Sequence, residues 1–133
     1  MSGTTGKTIK LLKFGGLGCA ACKAMDRAQV LERLAGLYPQ IEVVKYDVND
    51  ESGETPEGSE LAKNYDLSDE YEVEMLPTMI FEDAETGDEL HRIEGAQNYK
   101  SLEQATREAI EELVGRSAER TRSKKARAAK ASL

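Results

Sequence analysis

The sequence predicts an α/β domain: a four-stranded mixed sheet in the element order β-α-β-α-β-β-α, with helices on both faces. Three observations carry this prediction. Short runs rich in Ile, Leu and Val alternate with helical stretches, a Gly-containing turn separates the last two strand runs, and one long amphipathic stretch closes the pattern. A chain of 133 residues, 39% of them apolar, suits a single domain with one modest and mostly aliphatic core.

Thr8–Phe14 (TIKLLKF) reads as the first strand and runs into Gly15-Gly16-Leu17-Gly18, a turn that delivers the chain to Cys19. From Cys19 to about Leu37 the pattern predicts one helix. Cys22, Met25, Val30, Leu34 and Leu37 fall near one face, and Gly36 and Pro39 mark its end. Ile41–Val48 is the second strand. The polar stretch from Asn49 to Gly58 is a loop, and Ser59 caps a short helix over Glu60–Tyr65 with Leu61, Ala62 and Tyr65 turned inward. Asp66–Glu74 reads as an acidic connection. Thr78–Glu82 and Glu89–Ile93 form a hairpin around Ala84–Asp88, with Gly87 at the expected positive-φ position. Ser101–Val114 is the clearest helix, with Leu102, Ala105, Ala109, Ile110, Leu113 and Val114 in one stripe and Gly115 as its stop. Residues 1–7 are expected to be a flexible start, 8–115 the domain, and 116–133 a basic tail, flexible or frayed and helical.

Charge is unevenly placed. The formal net charge is −7, yet residues 116–133 carry seven Lys or Arg against the single acid Glu119. The stretch from Asp47 to Glu89 holds sixteen Asp or Glu and one lysine, Lys63. An acidic body disfavours nucleic acid, leaving at most weak binding by the tail. No run of eighteen apolar residues is present, and the start is too polar for a signal-peptide core, so a cytoplasmic, non-membrane protein is expected.

The only two cysteines, Cys19 and Cys22, stand three positions apart. A disulfide across so short a loop staples little chain, so the pair is read as chemical rather than structural. Cys19 follows a strand and a glycine turn and opens a helix, where the helix dipole and free N–H groups favour a thiolate. Cys22, one turn further in, is placed to resolve a mixed disulfide formed at Cys19. The competing chemistry is zinc or iron–sulfur binding. With only His91 in addition, a closed site within one chain lacks ligands, and only a site shared between two chains remains. His91 itself reads as a strand residue rather than a catalytic base. No metal and no cofactor are expected within the chain.

From Thr8 to Val114 the chain resembles the thioredoxin superfamily. Beyond the CxxC, Val43-Val44-Lys45-Tyr46-Asp47-Val48-Asn49 resembles the strand after the family's active-site helix. Leu61–Leu67 resembles the helix before its active-site proline, and Val73-Glu74-Met75-Leu76-Pro77-Thr78 matches the segment bearing that proline. Gly87 and Gly95 fall at the family's hairpin and post-strand glycines. The resemblance implies a dithiol–disulfide oxidoreductase with a cis peptide bond before Pro77, the Leu76 backbone as a substrate-pairing edge, and Lys45 near the sulfurs. Ala20 and Ala21, between the cysteines, would tune the potential. Taken alone, Pro77 reads as a strand-entry proline and Lys45 as a strand lysine.

The departures are specific. Gly18-Cys19-Ala20-Ala21-Cys22 lacks the family's tryptophan before the first cysteine and its proline before the second. Lys13 stands at the position of the family's buried acid, where it either favours thiolates or faces solvent. The strand before the CxxC is the first one read, which resembles the shorter glutaredoxin-like layout. Ser68–Glu72 lengthens the connection ahead of Pro77. The reading that results is a monomeric oxidoreductase acting on protein disulfides and recharged by a reductase. The alternatives are a binding or adaptor module without redox turnover and the shared metal site.

Overall fold

The computed structural model describes residues 6–131, with side chains as far as Ser123. Most of the start expected to be flexible lies outside the described residues; Lys7, within them, donates through Nζ to the Pro39 carbonyl at 2.8 Å. Strands β1 (Ile9–Gly15), β2 (Ile41–Asp47), β3 (Thr78–Asp83) and β4 (Glu89–Glu94) form one sheet in the order β2-β1-β3-β4. β2 is parallel to β1; β3 and β4 run antiparallel to their neighbours. This is the mixed four-stranded sheet anticipated from the sequence.

Alternation along the strands sorts side chains into two layers. Ile9, Leu11, Ile41, Met79 and Phe81 point toward helices α1 (Ala20–Arg27), α2 (Val30–Leu37) and α4 (Tyr99–Ala131). Leu12, Phe14 and Ile80 point the other way, toward helix α3 (Glu60–Glu70). On that second face the Phe14 ring stacks on Tyr46 at 5.2 Å between centroids and meets Tyr71 at 5.5 Å.

Several expectations are corrected. The helix expected to run unbroken from Cys19 to Leu37 is two helices. Gln29 between them adopts a left-handed conformation (φ 52°, ψ 41°). On a continuous helix Gln29 would stand on the face of Cys22 and Met25, while Val30, Leu31 and Leu34 would lie roughly a third of a turn away. The break lets both sets reach the core, where Met25, Val30, Leu31 and Leu34 are all buried. Leu37, at the end of α2, is exposed.

The acidic connection after Tyr65 is in large part helix. α3 continues to Glu70 because Leu67 and Tyr71 pack against the Phe14 layer. Its charged residues stay outside, and Tyr65, expected to face inward, is half exposed. In α4, Leu102, Ala105 and Ala109 are buried as expected, but Val114 is exposed. α4 begins at Tyr99, with the Asn98 side chain accepting from the Ser101 N–H at 2.8 Å.

Gly115 does not end α4. A glycine inside a helix costs only about 1 kcal/mol relative to alanine. A local charge pair spans it, Arg116 Nε donating to Glu112 at 2.7 Å, and further along Arg120 reaches the buried carboxylate of Asp83 on β3 at 3.6 Å. Among the described residues, no helix is long and apolar enough to cross a membrane.

Leu34 is fully buried between α2 and the sheet. Leu34→Ala is expected to lower the free energy of unfolding by about 2–5 kcal/mol at unchanged urea slope. A urea titration monitored by circular dichroism measures this, and a loss below about 1 kcal/mol would contradict the packing described.

Candidate functional site

The strand directions decide what meets at one end of the sheet. β1 runs toward Gly15, and its parallel partner β2 runs toward Asp47, opposite Gly15. β3 runs the other way, so its first residue, Thr78, pairs with Phe14. The CxxC loop, the loop after β2 and the Leu76-Pro77 segment therefore share one edge. Backbone hydrogen bonds tie the first two: Val48 N–H to Gly15 O at 2.9 Å and Leu17 N–H to Asn49 O at 3.1 Å. The approach is close enough that a Cβ on Gly18 would lie 2.7 Å from the Glu51 carbonyl oxygen.

Cys19 is the N-cap residue of α1, in extended conformation (φ −89°, ψ 112°). Its Sγ accepts a hydrogen bond from the Cys22 N–H at 3.1 Å, the place a serine or aspartate oxygen takes in an ordinary cap. No acidic residue lies in the first turn to compete for the positive helix end. Cys19 is partly exposed, whereas Cys22 is only 2% exposed. The two sulfurs are at disulfide distance, with Cα atoms 5.2 Å apart. Ala20 is exposed and Ala21 lies beside the cysteines with no polar group to offer either sulfur.

The Leu76–Pro77 peptide bond is cis, and Pro77 is buried. The turn is held from both sides. Thr78 donates its hydroxyl to the Met75 carbonyl at 2.7 Å, and the Gly95 N–H donates to the Pro77 carbonyl at 2.7 Å. Leu76 is partly exposed beside a cleft of about 190 Å³ lined also by Asn49, Tyr65 and Met75. Leu17, Tyr65 and Met75 are exposed apolar groups at this end.

Lys13 does not face solvent. Its side chain is 3% exposed and its ammonium lies 3.0 Å from Asp26 on α1. The same Asp26 oxygen accepts from Lys45 at 3.4 Å, and Lys45 also donates to Glu32 on α2 at 2.7 Å. Lys45, placed by the resemblance near the sulfurs, is thus engaged by two carboxylates. Burial pushes the Asp26 carboxyl up, but Lys13 and Lys45 outweigh it and hold it below its ordinary value. Hydrogen bonding to Lys45 likewise lowers Glu32. Burial opposes the Lys45 ammonium, yet Glu32 and Asp26 raise it overall. Asp26 was not among the residues singled out from the sequence. Its signal is the spacing from Cys22, four positions along one helix, which places both on one face.

His91 lies on the edge strand β4 with Nε2 3.1 Å from Glu108, remote in the fold from the CxxC end. Among the described residues, no three His, Cys, Asp or Glu side chains form a metal-binding group.

A family profile described as a thioredoxin-like domain matches residues 2–110. Solved structures agree. Thioredoxin from Fasciola hepatica is 26% identical with a TM-score of 0.55, covering 78% of this chain and 85% of its own. Mitochondrial thioredoxin 3 from Saccharomyces cerevisiae, in its oxidized form, is 26% identical with a TM-score of 0.54, covering 74% and 76%. Thioredoxin from Trypanosoma brucei brucei is alike in fold, at 23% identity and a TM-score of 0.56 over 79% and 77%. No curated protein matches the chain.

Two expectations follow. Gly18→Ala forces the CxxC loop away from the Glu51 carbonyl and should cost about 1–3 kcal/mol by urea titration. Asp26 has a folded pKa below its ordinary value of 3.8, so its contribution to stability is full above that pH. It is lost as pH falls through the lower folded value. The stability gap between the parent and Asp26→Asn should therefore narrow below about pH 4, as urea titrations across pH would show. A gap constant down to pH 2 would deny the pairing.

Proposed function

This chain belongs to the thioredoxin-like domain family, and from that premise we propose that it exchanges thiols and disulfides with protein substrates through Cys19 and Cys22. The observation that carries the reading is the asymmetry of the pair. Cys19 is partly open at the positive end of α1, and Cys22 is buried behind it. A thiolate at Cys19 receives the Cys22 N–H and the helix dipole.

The steps balance without a cofactor. The Cys19 thiolate attacks one sulfur of a substrate disulfide and expels the other as a thiolate, which takes a proton from water. Cys22, after losing its proton, attacks Cys19 Sγ of the mixed disulfide. This forms the Cys19–Cys22 bond and releases the second substrate thiolate. Two electrons pass from the dithiol to the substrate, so turnover needs a reductase or dithiol to restore the pair.

The cis turn supports substrate pairing at Leu76. Leu76 is partly exposed beside the cleft with Asn49 and Tyr65, and Leu17 and Met75 add apolar surface. An extended chain bearing a disulfide can add there as a short strand. Work in the cytoplasm, as a monomer and with acidic partners disfavoured by the acidic body, belongs to the same proposal.

Insulin reduction driven by dithiothreitol tests the reading. The parent is expected to turn over, Cys19→Ser to fall to background, and Cys22→Ser to accumulate a mixed disulfide visible on non-reducing gels. Background rates from the parent and no trapped species would overturn it in favour of a binding module.

A further inference from the structure

The family acid beside the resolving cysteine is absent here, and a buried cation occupies its position on β1. The local geometry brings its side chain to Cys22. Both crowd the point that a Gly15 side chain would occupy: a Cβ built there would lie 3.2 Å from Cys22 Sγ and 3.4 Å from Lys13 Cε. Lys13 is 2% exposed and Cys22 is 2% exposed, so little water separates them. We propose that the Lys13 ammonium, fixed by Asp26, is a positioning charge that favours the Cys22 thiolate and thereby drives the resolving step. This rests on the thiol–disulfide reading above and names a residue that serves it.

The other charges on this face do not cancel the effect. Asp26 on α1 lies one turn from Cys22 and opposes a thiolate, but its side chain is 51% exposed and water screens it. Its charge is also shared between Lys13 and Lys45. Glu32 on α2 is 52% exposed and taken up by Lys45. Asp47 on β2, opposite Gly15, is partly exposed. β3 places the uncharged Met79 opposite Lys13, and its acids Glu82 and Asp83 stand at the other end of the strand, opposite Lys10 and Ile9. Lys23 and Arg27, the cations of α1, are exposed and screened by water, and Cys19 in the mixed disulfide carries no proton. The least screened charge in reach of Cys22 is therefore the buried cation.

The chemistry requires such a group. A thiol buried in apolar surroundings holds its proton, which slows its attack on the mixed disulfide. A fixed cation offsets that burial. In this step the Cys22 proton goes to solvent, and the departing substrate thiolate takes one up. No electron passes through Lys13, so it acts on the reaction only through the Cys22 sulfur.

The test is the pH profile of Cys22 alkylation by iodoacetamide in the Cys19→Ser background, with and without Lys13→Met. The half-maximal pH is expected to rise by about one unit in the lysine variant. The thiolate fraction at pH 7 then falls about tenfold. Because a more basic thiolate is the better nucleophile, resolution of a preformed mixed disulfide in the Cys19-intact protein should slow about threefold. Lys13→Gln, which keeps a polar end for Asp26, should shift the profile in the same direction and serves if the methionine variant does not fold. Superimposed profiles in a folded variant would overturn the proposal and leave Lys13 a structural ion-pair partner. The profile needs no turnover, so failure of the insulin assay and failure here are separate results.

Discussion

Strand β1 is the constraint on which the remainder depends. It lies between a parallel and an antiparallel neighbour, and all its residues but Lys10 are buried. A strand covered on both faces must be apolar nearly throughout, and Ile9, Leu11, Leu12 and Phe14 meet that demand. Its two neighbours then have no freedom in where they end. The parallel one brings its last residue, and the antiparallel one its first, to the edge where β1 gives way to the cysteines. The pairing of Phe14 with Thr78 sets Pro77 at the CxxC end without any direct bond between the two loops.

One residue breaks the apolar rule on β1. A lysine in such a strand needs a counter-charge, and none of its strand neighbours provides one. Helix α1 does, through Asp26, and the same carboxylate gathers Lys45 from β2. Two strands and two helices are thus linked by one chain of alternating charges, Lys13–Asp26–Lys45–Glu32. Three of its members reach water and only Lys13 does not. Exposed ion pairs of this sort contribute little to stability. The arrangement matters because it holds a cation in a place from which hydrophobic packing would otherwise exclude it.

Much of this was legible in the residues. The strands announced themselves by β-branched and leucine runs, and the CxxC by its position after a strand and a glycine turn. What was missed has physical causes. The break at Gln29 carries no proline or glycine; its only trace is the shift in phase between Cys22/Met25 and Val30/Leu31/Leu34. The second half of α3 was hidden because its acids crowd the exposed face while Leu67 alone speaks for the buried one. Gly115 was given too much weight as a stop, since the Glu112–Arg116 pair bridges it. Asp26 was overlooked because a lone aspartate on a helix is unremarkable until the strand opposite is known to carry a buried lysine.

The 33 residues of α4 have a consequence for how the molecule moves in solution. At 1.5 Å per residue the helix is about 50 Å long, roughly twice the span of the sheet's strands. Its buried residues lie in the first third, and Arg120, clasping Asp83, is anchored well before its end at Ala131. A body with so long a rod rotates more slowly about its short axes than about the rod itself. Amide groups along α4 should then relax differently from those in β1, according to the angle each N–H bond makes with the rod.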